Sequence, residues 1–375
     1  MFFLKKIIVI FGGISPEHDV SVITGILCLN CLDKTKFSPV PIYVSKKGEW
    51  FTGDKLYNLG FFKSYDERKL LRVNIVPGEN VLRRYKNNKP LFSVSGAVNC
   101  MHGGMGENGT IGAFFELCGV PCVGTDAFSA RIAMDKALTK TAAKNFGVQV
   151  VDYAIVKRDE FYKKSEEIIF SLEKRLKYPL IVKPCGTGSS IGISVAKDGN
   201  ELFKSLVTAL SYDEKAIVEK YIDGYTELNC AAYEKNGNVM ISELEKPVSA
   251  HEILTFYDKY SGGKGNTPER EFPAKVSKKI SDEVKAVTKR MYIGCNFSSV
   301  IRADFLIKDE TVYLNEINSI PGSLAYYLFY NTLSGLTDLL TDLLSEAVKI
   351  NRKKQINLQN YDSDVLSFKG VALKK

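Results

Sequence analysis

The sequence LIKDETVYLNEINSIPGS, residues 306–323, is the stretch from which we predict the fold. Its apolar residues indicate a short strand that carries Glu316 and Asn318 two positions apart. Side chains alternate across a strand, so both polar groups are expected on the same face.

The preceding segment VIRADF, residues 300–305, predicts a second strand on which Arg302 and Asp304 also share a face. A hairpin of the two strands would gather these side chains with Glu316 and Asn318. Carboxylates and an amide suit Mg²⁺, which takes oxygen ligands and shares them with phosphates. A strand with a solvated polar face is the alternative for such a hairpin taken alone.

The composition is that of a soluble globular protein, with 375 residues, 45% hydrophobic and 25% charged. A chain of this length is expected to form roughly two or three domains. No apolar run reaches the roughly 18 residues of a membrane span. The net charge of +8 is mild and includes a lysine-rich stretch at 349–354, so it does not indicate a nucleic-acid partner.

The first residues run straight into an apolar strand and a glycine turn, which favours a buried strand over a signal peptide. Eight scattered cysteines are then expected to be reduced and mostly buried. Cys28 and Cys31 form a C-x-x-C pair, but no second pair or histidine follows at zinc-ligand spacing. Packing is the better interpretation of that pair.

Residues 5–45 predict a βαβ unit whose Gly12-Gly13 turn leads into a helix capped by Ser15. The turn lacks the G-x-G-x-x-G fingerprint of dinucleotide-binding folds. It instead places Glu17 at the carboxyl end of a strand, where open α/β sheets bind ligands. Simple helix capping is the alternative role for this acid.

A glycine-dense loop, residues 100–110, carries His102 and precedes a predicted helix at Ile111–Leu117. Backbone amides at such a helix start suit an anion, such as a substrate carboxylate. A purely structural histidine is the alternative. Farther on, the periodicity predicts one helix over Ala127–Asn145 that carries Lys136.

The segment YPLIVKPCGTGSSIGISVA, residues 178–196, predicts a strand ending near Lys183, a glycine–serine loop around Ser189, and a second strand. Such a loop can act as a lid that offers backbone N–H groups to phosphates. It is not a Walker A loop, because no Gly-Lys-Ser/Thr opens a helix. A structural hairpin is the alternative.

The segment AIVEKYI, residues 216–222, predicts an edge strand whose free backbone groups can hold an adenine ring. The polar, glycine-rich segment at 256–266 predicts a mobile loop that closes over a site. Amphipathic helices are predicted at 275–293 and 333–349, whereas residues 50–95 give no clear signal.

Taken in order, two lysines on separate elements, a Gly/Ser lid, EKYI, a KY-plus-Gly loop, RAD and NEIN-x-x-PGS resemble the ATP-grasp D-alanine–D-alanine ligases over residues 5–350. The resemblance implies an α/β and α+β architecture, namely an ATP-grasp fold with an N-terminal Rossmann-like domain. The implied divisions are 1–125, 126–219 and 220–350, followed by a tail at 351–375 of unassigned role.

The resemblance also implies ATP-dependent ligation of two D-alanines through a D-alanyl phosphate, for peptidoglycan precursors. The expected substrates are D-alanine and ATP, with two Mg²⁺ ions and Mn²⁺ as a substitute. A cytoplasmic homodimer is implied, with neither nucleic acid nor membrane as a partner.

Carried over position by position, the resemblance assigns roles to matching residues. Those implied in catalysis are Glu17, Ser189, Tyr260, Arg302 and Gly322. Those implied in ATP binding are Lys136, Lys183, Glu219, Lys220, Ile222, Glu227 and Lys259. Those implied in substrate binding are Glu17, His102, Tyr260 and Tyr327, and the implied metal ligands are Asp304, Glu316 and Asn318.

Two alternatives remain beside this reaction. Tyr260 favours an amine over a D-lactate acceptor, but the residues Ser323–Leu328 depart from the short Ser/His-containing stretch usual in the family. A ligase with another acceptor, such as D-serine, is therefore one alternative. The other is a non-catalytic ATP-binding protein of the same fold, against which the intact lysines, arginine and metal ligands argue.

Overall fold

The apolar run Lys5–Gly12 forms strand β1 in the computed structural model, which describes residues 4–247, 270–356 and 367. Helix α1 (His18–Cys31) connects it to β2 (Phe37–Val44), and β7 (Gly96–Asn99) lies on its other side. Both neighbours pair with β1 in parallel. The predicted βαβ unit is thus confirmed.

The largest sheet has the order β6-β5-β4-β3-β2-β1-β7-β8, parallel from β2 to β8 and antiparallel from β2 to β6. Its further strands are β3 (Trp50–Thr52), β4 (Leu71–Ile75), β5 (Val81–Arg84), β6 (Pro90–Ser93) and β8 (Cys122–Val123). Residues 50–95, without a clear signal in the sequence, thus extend this sheet. Their strands are three to five residues long and alternate weakly, so the pattern was too short to detect.

The second sheet is antiparallel and has the order β11-β10-β12-β9. Its strands are β9 (Tyr153–Lys157), β10 (Leu180–Pro184), β11 (Ser194–Ala196) and β12 (Lys215–Lys220). The prediction of an edge strand at 216–222 is wrong, because β12 pairs on both sides.

The third sheet is antiparallel, with the order β14-β13-β17-β18. Its strands are β13 (Thr226–Lys235), β14 (Asn238–Ile241), β17 (Ile301–Lys308) and β18 (Thr311–Asn318). A two-stranded ribbon, β15 (Lys246–Pro247) with β16 (Arg270–Glu271), lies beside it. The predicted hairpin at 300–318 is therefore present.

The remaining helices pack against these sheets. They are α2 (Gly104–Glu107), α3 (Thr110–Leu117), α4 (Ala127–Met134), α5 (Lys136–Asn145), α6 (Arg158–Lys163), α7 (Ser165–Leu176), α8 (Gly199–Tyr212), α9 (Lys278–Gly294) and α10 (Leu333–Ile356). Short 3₁₀ segments occur at Asp54–Tyr57, Leu59–Ser64, Glu67–Lys69 and Gly322–Leu328.

Two helix predictions are corrected by local hydrogen bonds. The helix expected over Ala127–Asn145 divides at Asp135, whose backbone is extended and whose carboxylate caps α5 by accepting from Ala137 and Leu138 at 3.0 and 3.2 Å. Ser15 does not cap α1: Glu17 occupies the N-cap position without a capping hydrogen bond from its side chain, and the Ser15 hydroxyl accepts from the Glu17 N–H at 3.0 Å.

The C-terminal helix is also longer than predicted. It continues to Ile356, so the first residues of the stretch assigned to a tail are helical. Its apolar face, with Leu336, Leu340 and Leu344, shares a core with β1 and α1. The first strand and the C-terminal helix therefore belong to one buried cluster.

The cysteines agree with the sequence-based expectation. All eight are free thiols, and six of them are buried. None of the helices within the described ranges is both long and apolar enough to cross a bilayer.

Candidate active site

A cleft opens between the second and third sheets. Apolar side chains from both sheets, such as Ile181 and Leu306, form part of its wall. Seven predicted ATP or metal residues also line it, namely Lys136, Lys183, Glu219, Lys220, Ile222, Glu227 and Glu316. Positions separated by up to 180 residues in the sequence are thus brought to one cleft.

The hairpin β17–β18 forms one wall. It pairs Arg302 with Asn318 and Asp304 with Glu316, so the four predicted side chains share a face. The register shifts just after Asp304, which marks a β-bulge. The bulge lets the sequence neighbours Asn315 and Glu316 both line the cleft, which regular alternation would forbid.

Asp304 is buried and fixed by its neighbours. Arg302 donates two hydrogen bonds to its carboxylate, at 2.6 and 2.7 Å, and Asn318 donates a third at 3.0 Å. A carboxylate has about four lone-pair positions, so Asp304 keeps accepting capacity. Together with Glu316 and the amide oxygen of Asn318, it forms a set of hard oxygen donors that fits Mg²⁺ or Mn²⁺.

Lys183, one of the lysines predicted to bind phosphate, belongs to a buried charge cluster. Lys183 lies 2.9 Å from one oxygen of Glu219, and the fully buried Lys140 lies 3.2 Å from the other. Lys183 also donates to Asn315 at 3.1 Å. Burial lowers the pKa of Lys140, against the attraction of Glu219. Burial opposes ionisation of Glu219, but the two lysines lower its pKa below the ordinary value. Two cations thus share one anion.

Lys136 begins α5 and reaches across the cleft. Its ammonium donates to the Thr187 carbonyl at 2.7 Å and lies 3.5 Å from Glu316. The split of the predicted helix at Asp135 makes this possible, because Lys136 N–H then donates to Cys185 at 3.0 Å and anchors the helix start. One lysine therefore connects the lid to the hairpin.

The segment predicted to hold adenine, called the hinge below, follows the end of β12. Lys220 N–H donates to the Asp152 carbonyl at 3.1 Å, and Tyr221 N–H donates to Pro179 at 3.0 Å. Ile222 comes next and lines the cleft. The Glu219 carboxylate contacts Lys140 and Lys183, so only the backbone of Glu219 remains for the predicted contact with adenine.

The Gly/Ser loop is docked on the N-terminal domain. The Ser189 hydroxyl donates to the Glu17 carboxylate, so the contact implied by the family resemblance is present. Ser189 and Ser190 have positive φ values of 54° and 59°. A Cβ at Gly188 would lie 2.9 Å from a carboxylate oxygen of Glu17, so a larger residue there would displace the end of that side chain. The lid is closed over Glu17.

The loop after β7 surrounds Glu17 from the other side. Glu107 is buried and accepts from Gly103 N–H at 3.0 Å and from Ile320 N–H at 3.4 Å. Burial, with the nearby charge of Glu17, raises the pKa of Glu107 to about 7. This carboxyl therefore titrates near neutrality.

His102 is a neutral connector in this structure. Burial lowers the pKa of His102 to about 4, against a hydrogen bond to the Ile320 carbonyl. Its Nε2 lies 2.9 Å from the Thr24 hydroxyl, which accepts from Ser323 N–H at 3.3 Å. His102 thus ties α1 to the segment that follows Gly322.

That segment has an unusual backbone. Ser323, Leu324 and Ala325 lie consecutively in the left-handed region, with φ values of 50°, 53° and 50°. Burial raises the pKa of Tyr327, although Arg302 opposes this by its charge and by a hydrogen bond. Gly322 begins the segment, and Tyr327 contacts the same arginine that holds Asp304.

Two predicted site residues lack a described structure, and three residues of the site were not predicted from the sequence. Lys259 and Tyr260 lie outside the described residues. Lys140, Asn315 and Glu107 were missed as site residues. Lys140 stands four positions after Lys136, which is the spacing of one helix face, and Glu107 is the acid of the glycine-dense loop, so both carried a detectable signal. Asn315 carried none, because the bulge that turns it inward leaves no mark in the sequence.

Family models match most of the chain. The model described as D-ala D-ala ligase N-terminus matches residues 6–125, and the one described as D-ala D-ala ligase C-terminus matches residues 142–345. The chain is 33% identical over 367 residues to a protein of Thermosipho melanesiensis named D-alanine–D-alanine ligase, covering 96% of this chain and 98% of that one.

Solved structures give the same result. The crystal structure of a D-alanine–D-alanine ligase from Helicobacter pylori is 26% identical, with a TM-score of 0.74 over 91% of this chain and 98% of that one. A D-Ala:D-Ser ligase from Enterococcus faecalis shares the fold, with a TM-score of 0.76 at 24% identity, over 93% of this chain and all of that one. The three-sheet architecture is the ATP-grasp fold expected from the sequence, and the chain belongs to the D-alanine–D-alanine ligase family.

Proposed function

We propose that this chain joins two D-alanines to D-alanyl-D-alanine, with hydrolysis of ATP to ADP and phosphate through a D-alanyl phosphate. The observation that supports this most is the closed lid, in which Ser189 meets Glu17 at one end of a lysine-lined cleft. A carboxylate is a poor electrophile, so phosphorylation must precede attack by the second amine. The site must therefore hold a nucleotide and an amino acid together.

The triphosphate would lie along the lysines of the cleft. Lys140 and Lys183 share the single charge of Glu219, which leaves one excess positive charge before any ligand binds. Lys136 supplies a further ammonium group on the opposite side, paired with Glu316. Charge of this sign in a partly desolvated cleft stabilises a developing phosphoryl group. Lys259 would be a further phosphate contact.

The nucleoside would occupy the apolar end of the cleft. The hinge from Glu219 through Lys220 to Ile222 would present backbone groups to adenine, and Glu227 would accept from the ribose. Ile181 and Leu306 supply apolar surface there. Because β12 pairs along both of its edges, the backbone groups that contact adenine would come from the residues at and beyond its end.

Two Mg²⁺ or Mn²⁺ ions would be held by Asp304, Glu316 and Asn318. When bound, such ions neutralise charge on the β- and γ-phosphates. Arg302 orients Asp304 by two hydrogen bonds, so the chain fixes one ligand before metal arrives.

The donor amino acid would lie between Glu17 and the oxyanion groups. Glu17 would hold its ammonium, while His102 and the amides of its loop would surround the donor. Ser189, with Tyr260, would keep the lid closed and exclude water. Arg302 and the backbone of Gly322 would stabilise the oxyanion when the second amine attacks.

The identity of the acceptor amino acid leads to a second candidate function. Tyr327 stands where family members place a smaller residue, and it packs against Arg302. The larger side chain of Tyr327 changes which acceptor amino acids can bind with their carboxylate beside it. A ligase with D-serine or another D-amino acid as acceptor is therefore the second candidate.

The setting of the enzyme follows from the same proposal. The product is a peptidoglycan precursor, so the enzyme would act in the cytoplasm as a homodimer. The proposed division into 1–125, 126–219 and 220–350 places the nucleotide between the last two parts and the amino acids where all three meet.

A panel assay tests the proposed function. Phosphate release is measured with ATP and each D-amino acid, alone and paired with D-alanine, and products are identified by mass. We expect release that requires both ATP and D-alanine, with D-alanyl-D-alanine as the product. Faster turnover of a mixed pair would favour the second candidate, and no activity with D-alanine as donor would refute both.

A further inference from the structure

Arg270 is a half-exposed guanidinium that none of the proposed roles uses. It lies on β16, with 42% of its side chain exposed, beside the segment that follows Gly322. Its Cζ lies 4.6 Å from the ring centroid of Tyr327, which places a cation over an aromatic ring. The contact joins the ribbon β15–β16 to the acceptor side of the site.

A buried acid fixes the position of Arg270. Glu245 accepts from its Nη1 at 3.2 Å and is itself only 7% exposed. The backbone of Glu245 pairs with Asn229 in both directions, at 2.8 and 3.0 Å, and the Asn229 amide donates to its carboxylate at 3.2 Å. The anchor therefore cannot move without breaking the edge of the third sheet.

The anchoring leaves most donors of Arg270 available. A guanidinium carries five N–H groups in a planar fork that matches a carboxylate. Within the part of the chain that the structure describes, Glu245 is the one side chain that accepts from Arg270. The stacking on Tyr327 sets the plane of the fork, so the free donors are oriented before any ligand binds.

The proposed reaction brings the carboxylate of the acceptor amino acid to the neighbourhood of Arg270 and Tyr327. The acceptor amine attacks the carbonyl that Arg302 is proposed to stabilise, and in an α-amino acid the carboxylate carbon is two bonds from the amine. Arg302 is close enough to Tyr327 to oppose the rise of its pKa, and the Tyr327 ring lies beneath Arg270. The acceptor carboxylate is therefore expected to lie close to Tyr327.

We propose that Arg270 binds the carboxylate of the acceptor amino acid, with Tyr327 as its platform and Glu245 as its anchor. This inference rests on the proposed ligase function and names the residue that gives its acceptor site a preference for a free carboxylate. The competing interpretation is that Arg270 only ties the ribbon β15–β16 to the third sheet.

A competition experiment separates the two interpretations. The enzyme receives ATP, D-alanine as donor, and equal concentrations of D-alanine and D-alaninamide as acceptors. D-Alaninamide has an amine but no carboxylate, so the ratio of the two dipeptide products reports carboxylate recognition alone. In parallel, hydroxylamine replaces the acceptor, and D-alanine hydroxamate reports activation of the donor.

The variants are Arg270→Met, Arg270→Lys and the matched control Arg72→Met. Arg72 has the same surroundings in the first sheet, since it pairs with Glu49 at 3.0 Å and its Cζ lies 3.8 Å from the Tyr85 ring centroid. It is also 42% exposed. The variant Arg72→Met therefore removes an arginine with similar ring and carboxylate contacts at a position outside the candidate active site.

We expect Arg270→Met to lower the ratio of free-acid to amide product by about tenfold or more, the usual effect of a lost charged hydrogen bond. Hydroxamate formation should stay within about twofold, Arg270→Lys should recover part of the ratio, and Arg72→Met should resemble the wild type. An unchanged ratio, or an equal fall in every product, would overturn the inference while leaving the ligase function in place. A wild-type enzyme that forms neither hydroxamate nor dipeptide would overturn both.

Discussion

The strand that ends at Asn318 and the segment Gly322–Leu328 are neighbours in the sequence, but different interactions determine their conformations. In β18, alternation alone brings Glu316 and Asn318 to one face, opposite Asp304. Beyond Gly322 three consecutive non-glycine residues adopt left-handed backbone angles, which no propensity predicts. The first region follows from its residues one by one, whereas the second depends on contacts from α1 and the loop at His102.

The strand end should give the largest effect on activity. Replacement Glu316→Ala removes a proposed metal ligand that also contacts Lys136, so we expect kcat to fall by about 100-fold or more. Steady-state kinetics, with circular dichroism as a fold check, measures this. The control Glu310→Ala removes an exposed carboxylate from the turn of the same hairpin. Activity of Glu316→Ala near that of the control would remove the metal assignment.

Glu107 contacts the link between the two regions, and its variant should alter stability with pH. The pKa of Glu107 is raised from 4.5 to about 7 in the folded protein. The folded state therefore holds a proton that the unfolded state releases, and stability is lost as pH rises between these values. Relative to Glu107→Gln, the wild type should lose roughly 2–3 kcal/mol of unfolding free energy between pH 5 and 8.

Urea denaturation across this pH range tests the expectation, with Glu310→Gln as the exposed control. The pKa of His102, lowered to about 4, acts in the opposite direction, since stability from a neutral buried histidine is lost as pH falls from about 6.5 towards 4. Both proteins of the comparison keep His102, so that contribution cancels. If the difference in unfolding free energy between the wild type and Glu107→Gln does not change with pH, the raised pKa of Glu107 is contradicted.

The charge cluster behind the hairpin should show a smaller effect. Lys140→Met leaves Glu219 paired with Lys183 alone and removes the excess positive charge. We expect the KM for ATP to rise by about tenfold, the size of one charged interaction. Lys144→Met is the control, because Lys144 lies one turn further along α5 and stacks on Tyr153 outside the cluster. Equal KM values for the two variants would mean that Lys140 is a packing residue.

The segment beyond Gly322 should be the more tolerant of the two regions. Tyr327→Phe keeps the ring beneath Arg270 but loses the hydroxyl that meets Arg302. The expected result is a KM for the acceptor about threefold higher and an unchanged KM for the donor, because the ring and its contact with Arg270 remain. A collapse of kcat comparable to that of Glu316→Ala would reverse the proposed ranking of the two regions.

The sequence was informative wherever a periodic pattern met a functional motif. The βαβ unit, the hairpin and the lysines on α5 and β10 needed only alternation and order along the chain. The family resemblance then supplied the Ser189–Glu17 contact, which lies across 172 residues and no local rule could predict.

What the sequence did not reveal has physical causes. The strands at residues 50–95 are too short for a period, and the division of the helix at Asp135 depends on one capping carboxylate. Asn315 enters the cleft through a bulge, and Glu245 with Arg270 meet only when β15 pairs with β16. Each is a tertiary arrangement that becomes visible only after the sheets have formed.

The transfer of an oxygen atom tests the central claim most directly. With D-alanine labelled by ¹⁸O in its carboxylate, formation of D-alanyl phosphate and attack by an amine must leave one labelled oxygen in the released phosphate. Mass spectrometry of phosphate and dipeptide should therefore find one ¹⁸O in phosphate for each D-alanyl-D-alanine formed. Dipeptide accompanied by unlabelled phosphate, or no dipeptide at all, would contradict the account.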